Sequence, residues 1–196
     1  MPKSDNQLPT SYAKDRSEWR KWLEKNHATS SGVWLIYYKK GSGKPSVSYD
    51  EAVEEALCFG WIDSRVNALD DERYMQFFCP RKPKSSWSKL NKQRVEQLIQ
   101  NGLMTAAGLE KIEAAKRDAS WSALDAIEDL QFSADFMEAL NSNNTAYDNF
   151  MAFSTSSKKN IVRWIESAKR LETRLKRIEE TVTLAAQNIK AYPYRQ

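Results

Sequence analysis

Strand-like sequence stops at Pro80 and Pro83, and from Trp87 onward the apolar residues fall at helical spacing. Proline has no N–H to give to a sheet ladder, so a sheet formed earlier in the chain ends there. The chain is thereby split into a mixed front half and a helical back half. In the front half, Val33-Trp34-Leu35-Ile36-Tyr37-Tyr38 is β-branched and aromatic and reads as a strand. Trp61 to Leu69 and Arg73 to Cys79 read as two further strands, joined at Asp70-Asp71-Glu72 in an antiparallel hairpin. Gly41-Ser42-Gly43-Lys44-Pro45 reads as a turn.

Helices are expected between these strands. Trp19, Trp22 and Leu23 share a face over about Asp15 to Asn26. Ser48 and Glu51 have the spacing of a capping box ahead of Ala52, Val53, Ala56 and Leu57, and Gly60 is placed to stop that helix. In the back half, Ser86 is expected to cap a helix whose Trp87, Leu90, Val95, Leu98 and Ile99 form a stripe, ended by Asn101-Gly102. Thr105 opens a helix carrying Leu109 and Ile112, and Ser122 and Thr145 have the spacing of two more starts. Ile161, Ala168, Leu175 and Val182 are seven apart, as are Trp164, Leu171, Ile178 and Ala185. That heptad pattern predicts one long terminal helix, with its seam buried in the monomer or against a second copy in a homodimer.

The expected class is α+β: helices packed on a small antiparallel sheet, followed by an all-helical part. The boundaries read as a tail over residues 1–15, an α+β domain over 16–120 and a helical domain over 121–196. Two cysteines in 196 residues do not make a disulfide framework. No apolar run has membrane-spanning length, and the first residues are polar, which places the chain in the cytoplasm with both thiols reduced. The net charge of +4 hides strong segregation. Residues 81–117 carry nine basic and three acidic side chains, 118–157 carry seven acidic and none basic, and 158–196 carry ten basic and four acidic. Such blocks imply either an anionic partner or docking of the acidic block on a basic one within the molecule. If both basic segments shared a face, nucleic acid would be the partner, with steeply salt-dependent binding.

Few residues suggest chemistry. With a single histidine, His27, and cysteines 21 apart, no metal-ligand spacing exists, and no cofactor motif is present. His27 reads as a surface or capping residue just past the first helix. Cys58, Asp63 and Ser64 lie close together at a helix-to-strand turn and make an enzyme centred on them an alternative to a binding protein, but a nucleophile there needs a base that the local sequence does not provide unless the fold brings His27 close. Cys58 reads rather as a small core residue, and Asp63 and Arg65 as partners of other charges on the hairpin. The strongest local signal is Arg81, Lys82 and Lys84 leading into Trp87, Asn91 and Arg94. Guanidinium, ammonium and aromatic groups there, beside a helix start, point to an anionic small molecule or peptide. Trp61, Asp63 and Arg65 border the same stretch and complete the candidate ligand-binding set.

The run from Ser48 to Ser64, including Cys58-Phe59-Gly60-Trp61-Ile62-Asp63-Ser64, resembles the YdeI/OmpD-associated, or bacteriocin-protection, proteins. So do Pro80-Arg81-Lys82-Pro83, Ser85-Ser86-Trp87-Ser88, Asn91-Lys92 and Arg94-Val95-Glu96. Trp164-Ile165-Glu166-Ser167-Ala168-Lys169-Arg170 and Glu172-Thr173-Arg174 are similar to the domain that names the family. The resemblance implies a part in resisting cationic antimicrobial peptides or bacteriocins and a place in stress resistance, without implying a reaction. A cationic peptide would meet the acidic 118–157 block.

Overall fold

The structure, a computed structural model, describes residues 8–191, so part of the expected tail lies outside the described residues. The chain forms two compact units, one running to Ala123 and the other starting at Leu124. The first unit is α+β and the second is helical.

In the first unit the elements are β1 (Thr10–Tyr12), α1 (Arg16–Asn26), β2 (Val33–Tyr38), α2 (Tyr49–Cys58), β3 (Trp61–Ala68), β4 (Arg73–Pro80), α3 (Lys89–Gln100) and α4 (Ala106–Arg117). Sheet order is β1-β2-β4-β3. The β3–β4 and β2–β4 pairs are antiparallel, but β1 runs parallel to β2, with Thr10 opposite Trp34. The sheet is therefore mixed rather than wholly antiparallel, and residues 10–12 of the expected tail are a strand. Thr10-Ser11-Tyr12 is too short to show a two-residue period, so only pairing with β2 reveals it.

Local chemistry explains the helices. Asp15 caps α1 by accepting from Glu18 N at 2.9 Å, and Trp19 and Leu23 point into the core. Ser48 and Glu51 form the full capping box of α2. Gly60 sits at φ 73° just past α2, in the left-handed region that favours glycine. One face of the sheet is packed by Trp19, Leu23, Leu35, Ala52, Val53, Ala56, Leu57 and Phe78, and the Trp19 and Trp22 rings stack at 5.2 Å. Glu55 is buried between Arg16 and Arg20 at 2.6 and 2.7 Å, which compensates its charge.

The docking of α4 on α2 fixes one wall of the site described below. Cys58 O, an unpaired carbonyl at the helix end, accepts from both Thr105 N at 3.1 Å and Thr105 Oγ1 at 2.6 Å. Thr105 also caps α4. A side chain at Gly108 would have its Cβ 2.3 Å from Cys58 O, so only glycine permits this approach.

The second unit holds α5 (Asp125–Glu128), α6 (Ala134–Asn141), α7 (Asn144–Ala152), α8 (Thr155–Glu166) and α9 (Leu171–Ala186). Phe132, Phe136, Phe150 and Phe153 make a chain of edge-to-face ring contacts in a core with Leu140, Ile161, Ile165 and Ile178. Two expected starts shift. Asn143, not Thr145, caps α7, and Ser122 donates to Ala119 O rather than capping α5. The single terminal helix is also corrected: the chain breaks between Glu166 and Leu171. The broken end of α8 is closed by side chains, since Trp164 O accepts from Ser167 Oγ at 2.9 Å and from Arg177 Nη1. Leu171 and Leu175, expected on the seam, are 70% and 50% exposed. The continuous seam on which the homodimer expectation stood is absent, because each short helix turns its own stripe inward.

Within this unit two acidic residues of the 118–157 block pair with basic residues of 158–196. Glu128 pairs with Lys159 at 2.8 Å and Arg163 at 3.4 Å. Arg174 holds Asp135 through two hydrogen bonds, at 2.7 and 2.9 Å, and Glu166 at 2.7 Å, tying together α6, α8 and α9. The bond from Arg174 keeps the Asp135 carboxyl far below its ordinary range. A depressed carboxyl stabilises the fold above the unfolded-state value of about 3.9. That stabilisation fades as the pH falls from there toward the lowered folded-state value. Arg174→Met is therefore expected to lower the urea midpoint clearly at pH 7 and much less at pH 2.5. An equal loss at both pH values contradicts this assignment.

Candidate anion-binding site

Arg81 follows directly on β4, where its backbone N–H donates to Gly60 O at 2.9 Å. That bond turns the side chain inward, and Arg81 is only 5% exposed. Its guanidinium lies 3.6 Å from the centre of the Trp87 ring. Trp87 in turn packs on Trp121 at 5.0 Å, and Lys92 and Lys116 approach the far ring at 5.3 and 5.9 Å. Cation–π contact contributes about 2 kcal/mol when desolvated, less than the several kcal/mol that burying a charge costs. Nη1 makes two long hydrogen bonds, to Ser85 Oγ at 3.4 Å and Ser86 O at 3.3 Å. Nε is buried with no hydrogen-bond partner among the described residues, and no carboxylate pairs with the group. Burial pushes the Arg81 guanidinium down to about 10, against the pull of Asp63, and it remains charged at neutral pH.

Arg81 lines a cavity of about 60 Å³ together with Lys82, Pro83, Lys84, Ser85, Trp87, Lys111, Ala114, Ala115, Asp118 and Ser120. One water needs roughly 10–15 Å³ of such space, so a small oxyanion is accommodated. The loop from β4 to α3 and the loop that follows α4 meet here. Lys84 and Ala119 both have left-handed backbone, at φ 59° and 62°, an uncommon state for non-glycine residues. Asp118 holds both: its carboxylate accepts from Lys84 N at 3.2 Å and from Ser120 N at 2.9 Å. Ser120 Oγ is buried beside the Asp118 carboxylate, which it helps to hold below its ordinary range, and has no partner within hydrogen-bonding geometry among the described residues.

The expected ligand set divides. Arg81, Lys82, Lys84 and Trp87 come together, joined by Lys111, Asp118 and Ser120. Nothing in the sequence marks those three, because α4 is brought beside the Arg81 loop only by its docking on α2. The helix-start part of the expectation is corrected. Ser88, not Ser86, caps α3, with its Oγ accepting from Asn91 N at 3.3 Å, and neither Ser88 nor Lys89 lines the cavity. Trp87 precedes the helix and is core, whereas Leu90 and Ile99, expected on the buried stripe, are exposed. Leu109, expected inward on α4, is exposed too.

Asn91 and Arg94 belong to a second cluster. Arg94 bonds Asn91 Oδ1 at 3.2 Å and pairs with Asp50, and its guanidinium lies 6.0 Å from the Tyr49 ring centre. Asp63 accepts from Tyr49 OH at 3.1 Å and Gln76 Nε2 at 2.6 Å, so its bonds come from neutral groups and not from the charged partner expected. A bulge between Asp63 and Val66 places Ser64 and Arg65 opposite Phe77. Arg65 covers the Trp34 and Phe77 rings at 5.6 and 5.2 Å, and the exposed Ser64 bonds Phe77 O. Trp61 is buried and donates to His27 O at 3.2 Å. His27 ends α1, with Nδ1 at 2.9 Å from Leu23 O.

Cys58 is fully buried, and burial pushes its thiol up to about 11. We expect native Cys58 to resist thiol reagents at neutral pH and to react only on unfolding. Rapid stoichiometric labelling of Cys58 in a Cys79→Ser variant would show otherwise. No group of acidic, histidine or cysteine side chains suited to a metal occurs among the described residues. No helix among them is long and apolar enough to cross a membrane. The basic segments 81–117 and 158–196 fall in separate units.

Fold and site together define a two-part α+β and helical chain with a buried guanidinium at a small cavity, without a carboxylate partner among the described residues. The chain belongs to the family described by a domain of unknown function, DUF8412, whose model matches residues 11–111. Residues 129–188 match the bacteriocin-protection, YdeI or OmpD-associated domain. No curated protein and no solved structure matches.

Proposed function

We propose that this is a cytoplasmic, non-catalytic binding protein of the bacteriocin-protection type that holds an anionic ligand at the Arg81 cavity. The observation that carries this reading is Arg81 itself: a buried cation with an unused N–H and no carboxylate partner among the described residues. A group so costly to bury is retained where a charge is to be met. Lys82, Lys84 and Lys111 add a positive rim. The match over residues 129–188 supports a role in antimicrobial-peptide resistance. Direct capture of a cationic peptide by the acidic block has less support, since Glu128 and Asp135 are already bonded to Lys159, Arg163 and Arg174.

A ligand that binds only the folded state stabilises it in a saturable way. Thermal unfolding at fixed ionic strength, with chloride exchanged for sulfate, phosphate or acetate, is expected to show a saturable rise in Tm with at least one anion. A midpoint that follows ionic strength alone, whatever the anion, contradicts the reading.

A further inference from the structure

We infer that the Arg81 cavity selects a short-chain aliphatic monocarboxylate, of the acetate-to-butyrate size, over phosphate or sulfate. The inference rests on the anion-site reading and narrows it. Nη1 of Arg81 is committed to Ser85 and Ser86, which leaves the Nε edge for a guest. That edge presents parallel N–H groups matching the two oxygens of a carboxylate. A carboxylate is then met by Arg81 and the cavity-lining Ser120 hydroxyl, while its carbon tail meets Pro83, Ala114, Ala115 and the Trp87 ring.

A tetrahedral oxyanion fits these walls poorly. Its further oxygens require donors; Lys82, Lys84 and Lys111 offer these from the rim, but the walls formed by Pro83, Ala114 and Ala115 offer none and Asp118 presents a carboxylate. Asp118 already accepts two backbone N–H groups, the bonding of an ionised acid. A dianion beside it meets like-charge repulsion in a partly desolvated place, whereas a monoanion keeps its charge at the Arg81 end.

Isothermal titration calorimetry of the full chain with sodium propionate and with sodium phosphate, at constant ionic strength, tests this. Saturable binding of propionate at least tenfold tighter than phosphate is expected. Asp118→Asn, its fold checked by circular dichroism, is expected to narrow that preference by about tenfold, equivalent to about 1.4 kcal/mol. Phosphate binding tighter than propionate overturns the monocarboxylate inference and leaves the anion site standing. Binding of neither, with no anion-specific rise in Tm, overturns both. An unchanged preference in Asp118→Asn removes the role given to Asp118, and with it the stated basis of the selection.

Discussion

Replacing Arg81 with methionine is expected to raise the stability of the ligand-free protein by about 1–3 kcal/mol while abolishing its response to anions. Two features set the sign. The guanidinium is almost wholly enclosed, with Nε unbonded and Nη1 held only by contacts of 3.3–3.4 Å, so the desolvation cost is weakly offset. Methionine has similar reach, keeps a favourable sulfur contact with the Trp87 ring, and leaves no buried charge. A residue whose removal strengthens the fold and ends ligand binding is the mark of a functional site. Urea unfolding at pH 7, with and without the anion that stabilises the parent, measures both effects. A variant that is less stable and still responds to anions would show that Arg81 is structural.

Gly108→Ala is expected to cost about 1–3 kcal/mol, despite the roughly 1 kcal/mol gain in helix propensity that alanine brings elsewhere. The new Cβ would stand 2.3 Å from Cys58 O, a backbone atom no rotamer change can move. Relief requires α4 to retreat, and retreat stretches both bonds from Thr105 to Cys58 O. The same shift displaces Lys111, Ala114, Ala115 and Asp118, so anion affinity should fall together with stability. Lowered urea midpoints alongside weakened anion response are expected. A fully stable Gly108→Ala protein with unchanged binding would mean that α4 does not hold the cavity wall.

Much of the first unit was legible because its signals are local. The Ser48–Glu51 box, the Gly60 stop, the Thr105 cap and the β3–β4 hairpin each depend on residues within a few positions. Strand β1 was not legible, since three residues carry no period and its order comes from β2. The terminal heptads misled because seven-residue spacing survives a helix break: Ile161 and Ile178 are both buried, but on separate helices. At the site, Arg81 and Trp87 could be picked out as a basic and an aromatic residue in one stretch. Their stacking, the loss of Asn91 and Arg94 to the Asp50 and Tyr49 cluster, and the arrival of Asp118 and Ser120 from over 30 positions away depend on tertiary packing.

The most direct measurement follows the Arg81 Nε–H resonance in 15N-labelled protein as an anion is added at constant ionic strength. A group buried without a partner should give a protected signal that moves downfield and saturates as the anion accepts its hydrogen bond, together with the Trp87 indole signal. If the Nε–H signal stays fixed while anions shift only exposed lysine-rich segments, Arg81 does not meet the ligand and the account fails.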